Sequence, residues 1–115
     1  MGLLNPSNEN LKRILYFIRV KNKDQILDTL TRNKESLYSK YPIQSLAIFG
    51  SIARGDDSEE SDVDILVEFS DNIGIRFIDL ANEIESLLKR HVDLVSKKAV
   101  KPKYYETIKN EIIYV

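Results

Sequence analysis

Residues 62–69, Asp-Val-Asp-Ile-Leu-Val-Glu-Phe, place Val63, Ile65, Val67 and Phe69 at every second position. A strand turns alternate side chains to opposite faces, so this spacing predicts an apolar face backed by a face that begins with Asp62 and Asp64. Upstream, Ile43–Phe49 reads as a buried strand that runs into a turn at Gly50-Ser51. Ten residues separate that Gly-Ser pair from the first aspartate. The intervening loop is polar and acidic, with Asp56, Asp57, Ser58, Glu59, Glu60 and Ser61. A short connection most economically makes the two strands antiparallel neighbours.

The rest of the chain supplies helices and a third strand. Ser7 is a plausible N-cap for a first helix with an apolar stripe of Leu11, Ile14, Leu15 and Ile18. A second helix is expected over 24–40, with a stripe of Ile26, Leu27, Leu30 and Leu37 interrupted by a polar turn at Asn33-Lys34 and stopped by Pro42. Phe77, Leu80, Ala81, Ile84, Leu87 and Leu88 give the cleanest helical stripe. Residues 91–96 read as a strand around Asp93. A final helix opens at Pro102, with Tyr105, Ile108 and Ile112 on its inner face. This order gives an α/β (α+β) fold, a small mixed β-sheet with helices packed on it. A helix crossover favours a parallel pair of second and third strands. Asp62, Asp64 and Asp93 then meet Gly50-Ser51 at one edge of the sheet. The division expected is an N-terminal helical extension over 1–22 and a catalytic domain over 23–115.

Composition narrows the function. A chain of 115 residues with 43% hydrophobic and 30% charged residues has the make-up of one ordinary globular domain. The formal net charge of −1 supplies no positive field to recruit nucleic acid or an anionic membrane. There is no cysteine, which excludes disulfides and thiolate metal sites and fits a reducing cytosol. No apolar run approaches the roughly 20 residues that span a bilayer. The N-terminus does not read as a signal peptide, and a cytoplasmic location is expected.

Two carboxylates side by side repel unless a cation lies between them. Oxygen ligands at a strand end suit Mg²⁺, which borrows its remaining ligands from water and substrate phosphates. A glycine turn opposite can bring backbone N–H groups to a phosphate. Asp-x-Asp also occurs in glycosyltransferases that hold nucleotide sugars through a metal, so the pair alone does not decide the reaction. Arg54 reads equally well as a triphosphate contact or as a partner of the acidic loop. Lys97, Lys98, Lys101 and Lys103 could steer ATP or an acidic partner, although solvated lysines are the plainer reading. His91 lies beside the third strand and reads as structural. Ser61 reads as a turn cap.

The combination of Gly50-Ser51, Asp62-Val63-Asp64 and Asp93 resembles the signature of the DNA polymerase β-like nucleotidyltransferases. The runs Gly50-Ser51-Ile52-Ala53-Arg54-Gly55 and Ser61-Asp62-Val63-Asp64-Ile65-Leu66-Val67 resemble the minimal nucleotidyltransferases (MNT) in particular. The resemblance covers about 24–115. It implies a polymerase β-like fold in which Asp62 and Asp64 ligate two Mg²⁺ ions, Asp93 shares one of them and helps deprotonate the acceptor, and Gly50, Ser51 and Arg54 contact the triphosphate. It further implies transfer of AMP from ATP to a tyrosine of a HEPN-domain ribonuclease toxin, for which such proteins act as antitoxin. Two other readings stay open at this point: neutralisation of the toxin by binding alone, and transfer to a small-molecule hydroxyl.

Overall fold

A computed structural model describes residues 20–58 and 60–115. The expected first helix, with Leu11, Ile14, Leu15 and Ile18, lies outside the described residues. Helix α1 spans Lys23–Lys40. It starts with a capping box: Asn22 Oδ1 accepts the Gln25 N–H at 2.9 Å while the Gln25 side chain reaches back to the N-cap backbone. The expected interruption at Asn33-Lys34 is not there. The Asn33 amide bonds the Thr29 carbonyl at 2.7 Å and Lys34 reaches the Val115 carbonyl at 3.2 Å, so both polar side chains are accommodated without breaking the backbone ladder.

Strand β1 (Ile43–Phe49) leads directly into α2 (Gly50–Arg54), a helix of five residues where the sequence suggests only a turn. Strand β2 (Val63–Phe69), helix α3 (Arg76–Leu88) and strand β3 (Val92–Ser96) follow. Lys89 ends α3 in the left-handed region at φ 56°. A 3₁₀ turn at Lys97–Ala99 precedes α4 (Pro102–Ile108), with proline at its first turn as expected. A second 3₁₀ turn, Lys109–Glu111, hands over to β4 (Ile113–Tyr114), a strand too short to announce itself by periodicity.

The sheet order is β3-β2-β1-β4. β1 and β2 are antiparallel, with Phe49 opposite Asp64. β2 and β3 are parallel, with Asp64 opposite Asp93. β4 joins the free edge of β1 antiparallel, pairing Ala47 with Tyr114 and Ile48 with Ile113.

Alternation divides the core in two. Val63, Ile65 and Val67 of β2 and Leu46 and Ile48 of β1 pack with Ile26, Leu30 and Leu37 of α1 and Leu80, Ile84 and Leu88 of α3. The opposite face carries a thin cluster of Ala47, Phe49, Leu66 and Ile108, flanked by Val95, Val100 and Ile112. Val20 packs on the larger cluster, and its N–H bonds the Leu88 carbonyl. The end of the supposed extension is therefore stitched to the domain.

Candidate active site

The thin face is where the aspartates lie. Asp64 shares it with Leu66, and its in-register neighbour on β3 is Asp93. Asp62 stands at the threshold of β2, where two contacts fix the backbone. The Val63 N–H bonds the His91 carbonyl at 3.0 Å, and Arg90 donates to the Ser61 carbonyl at 2.6 Å. Arg90 also donates to the Lys21 carbonyl at 2.7 Å, so one guanidinium ties three chain segments together beside the site. Sequence reasoning misses it, because an arginine that bonds carbonyls carries no pattern. His91 is mostly exposed and places Nδ1 3.2 Å from Asp62 Oδ1. Ser61 caps the loop through its Oγ, which accepts the Ser58 N–H at 2.9 Å.

Asp64 has no cationic side chain or hydrogen-bond donor against its carboxylate among the described residues, and the same is true of Asp93. Partial burial, followed by the charges of Asp93, Asp62 and Glu111, pushes the Asp64 carboxyl up to about 6; Arg54 offsets this in part. Uncompensated negative charge on a sheet face is costly, and a bound cation removes the cost. No three metal-ligating side chains among the described residues already surround a single point. The carboxylates form a row rather than a cage. Such a row fits Mg²⁺, which keeps several waters and takes further oxygens from phosphates; a site closed by protein ligands alone would not.

Gly50 closes the site from the β1 side. Its φ of 74° is in the left-handed region, and a Cβ there would fall on Asp64 Oδ2 and lie 3.1 Å from its Cγ. Glycine is needed for both the backbone turn and the close approach. The Ser51 hydroxyl has no hydrogen-bond partner among the described residues and stays free for a ligand. Gly55, at φ 83°, ends α2 and turns the chain away.

Arg54 is engaged rather than free. Its Nε lies 3.0 Å from Asp56 Oδ2 and one terminal nitrogen lies 2.9 Å from Glu111 Oε2, and these bonds, Asp56 first, hold the guanidinium pKa above its ordinary value. Glu111 does not stand out in the sequence. Its other oxygen, Oε1, accepts the Gly50 N–H at 3.1 Å. The β1–β4 register is the signal that finds it: continuing that pairing two residues beyond Ile48 and Ile113 sets Glu111 opposite Gly50.

The basic loop faces elsewhere. Lys97 lies 3.6 Å from Glu68 and 5.7 Å from the centre of the Tyr105 ring. A cleft of about 730 Å³ at the far ends of β2 and β3 is lined by Glu68, Phe69, Asp71, Ser96, Lys97 and Lys98. It contains none of the three aspartates. No helix among the described residues is long and apolar enough to cross a membrane.

Comparison with known proteins agrees with this geometry. The family model described as nucleotidyltransferase domain matches residues 30–115. Protein adenylyltransferase MntA of Thermococcus cleftensis is 38% identical over 93 residues, covering 80% of this chain and 94% of that protein. A solved structure provisionally named a minimal nucleotidyltransferase superimposes with a TM-score of 0.63 at 33% identity, covering 76% of this chain and 93% of that one. A toxin–antitoxin crystal structure with AMP-PNP is similar at 30% identity and a TM-score of 0.50, covering 70% of this chain and 60% of that one. With its glycine turn, row of aspartates and mixed sheet, the chain belongs to the nucleotidyltransferase domain family as one of its minimal (MNT) members, and it is a nucleotidyltransferase.

Proposed function

We propose that this protein transfers AMP from ATP to a tyrosine hydroxyl of a partner HEPN-domain toxin in a Mg²⁺-dependent reaction, and thereby acts as antitoxin. The observation that carries the proposal is the juxtaposition of Gly50-Ser51 with Asp64 and Asp93, carboxylates that no cationic side chain among the described residues contacts directly. The name of the Thermococcus relative and the AMP-PNP-bound toxin–antitoxin structure support the same reading.

Asp62, Asp64 and Asp93 would hold the metal, two ions on the strength of the resemblance, and bound Mg²⁺ would supply charge stabilisation at the triphosphate. The remaining work falls to the chain's own groups. Ser51 and the glycine turn hold the terminal phosphates, with Arg54 beside them. Asp93 accepts the proton from the attacking hydroxyl. A bond forms between the acceptor oxygen and the α-phosphorus while the bond to the pyrophosphate oxygen breaks, and pyrophosphate leaves. Alignment of the hydroxyl with that leaving oxygen supplies much of the rate, because it removes the entropy of bringing the groups together.

The test is intact mass spectrometry of the protein encoded beside this one, co-produced with the unsubstituted chain or with Asp62→Ala/Asp64→Ala. A mass increase by whole AMP units, present only with the unsubstituted chain, is the expected result. An unmodified partner that co-purifies with both forms would replace catalysis by binding as the basis of neutralisation. Cleavage of the modified protein into peptides then locates the acceptor, and a site other than tyrosine would overturn that part of the proposal.

A further inference from the structure

Glu111 is a side chain only about one-sixth exposed that spends one oxygen on each end of α2: Oε1 on the Gly50 N–H at 3.1 Å and Oε2 on Arg54 at 2.9 Å. It arrives there through the sheet. β4 fixes the register with β1, and the 3₁₀ turn Lys109–Glu111 lies immediately before it. The residue it grips is the one with a left-handed backbone and with the Asp64 carboxylate directly against its Cα hydrogens. The charge of Glu111 adds repulsion toward Asp64, a cost to set against the two bonds it makes. A charge-assisted bond to a backbone N–H is, however, strong and directional. So is an ion pair that holds Arg54 at a defined place next to the carboxylate row.

We propose that Glu111 is a positioning residue for nucleotide binding: one oxygen locks the Gly50 backbone and the other aims Arg54 at the mouth of the site. This rests on the reading of Gly50-Ser51 as the phosphate-binding turn. The two jobs are chemically separable. Glu111→Gln keeps an oxygen able to accept from the Gly50 N–H but loses the charge that holds Arg54. Glu111→Ala loses both.

The experiment measures AMP-PNP affinity in Mg²⁺ for the unsubstituted chain, Glu111→Gln and Glu111→Ala, together with amide hydrogen exchange at Gly50 by NMR. Thermal melting of the same samples confirms that each is folded. Glu111→Ala is expected to weaken AMP-PNP binding about tenfold, or about 1.4 kcal/mol, and to expose the Gly50 amide to exchange. Glu111→Gln is expected to keep the Gly50 amide protected and to recover part of the affinity. Binding by Glu111→Ala that equals or exceeds that of the unsubstituted chain would overturn the assignment of Glu111, as would a Gly50 amide that exchanges no faster. Absence of any Mg²⁺-dependent AMP-PNP binding by the unsubstituted chain would overturn the phosphate-site reading beneath it, before any Glu111 variant is compared.

Discussion

The two faces of the sheet are made by the same strands and obey opposite rules. On one, Val63, Ile65, Val67, Leu46 and Ile48 lie under α1 and α3, and every one of the five is buried. On the other, Phe49, Ala47 and Leu66 share the surface with Asp64 and Asp93, and α4, the two 3₁₀ turns and the Gly50 end of α2 lie near. The first face lowers the free energy of the fold by removing apolar area from water. The second gathers like charges that raise it. One residue of offset along a strand separates the two. The contrast teaches where to expect a division of labour: substitutions on the helix face should move stability and spare chemistry, and those on the aspartate face should do the reverse.

The sharpest test of that division is Asp62→Ala/Asp64→Ala. AMP transfer should fall about a thousandfold or more, since in the proposed reaction both groups hold the metal at the reacting phosphates, while the metal-free melting temperature stays at or above that of the unsubstituted chain. A large drop in melting temperature would break the comparison. Leu80→Ala on the other face should cost about 2–5 kcal/mol of stability by opening a cavity under α3. Its kcat, measured well below its own melting temperature, should stay within about twofold, and urea denaturation followed by transfer assays checks both halves.

Gly50→Ala sits on the seam and should show both effects. The left-handed backbone costs about 1–2 kcal/mol for any residue with a Cβ, and displacement of Asp64 should slow transfer about a hundredfold. Retention of full activity would mean that the turn and the aspartate are not mechanically joined. The smallest expected effect is that of Asp64→Asn on the metal-free protein. With its folded pKa at about 6, Asp64 holds a proton that the unfolded chain has already lost above about pH 4. Stability therefore falls as pH rises from about 4 to 6 and stays lower above it. The full linkage value of ~3 kcal/mol is reduced by solvent screening, so the variant should gain about 1 kcal/mol at pH 7. It should gain nothing at pH 4. Urea titrations at the two pH values, with and without Mg²⁺, measure it, and Mg²⁺ should stabilise only the unsubstituted chain to a comparable extent.

Much of this architecture is legible in the amino-acid sequence, and for identifiable reasons. The alternation in 62–69 announces both faces of β2, and the stripe from Phe77 to Leu88 announces α3, because periodic burial leaves a periodic sequence. The antiparallel and parallel pairings follow from connection lengths, and they bring Asp64 beside Asp93 and opposite the end of β1. What stays hidden has no period. β4 has two residues and α2 has five, too few to repeat anything. Glu111 meets Gly50 across 61 residues of sequence, and Arg90 works by donating to carbonyls that every residue possesses. The polar pair Asn33-Lys34 misleads in the other direction. Side chains that bond carbonyls can look like a break in a helix they leave intact.

The pairing of Asp64 with Asp93 is a register between parallel strands, and registers come in whole numbers. A slip of β3 by one residue would not move the second carboxylate a little; it would bring Val92 or Leu94 opposite Asp64 and turn Asp93 toward Leu80 and Ile84, where no charge can stay. The apolar face thus acts as proofreader for the polar one. A chain that folds at all carries its carboxylates in the right places, and one that misaligns fails to fold rather than persisting as a feeble enzyme.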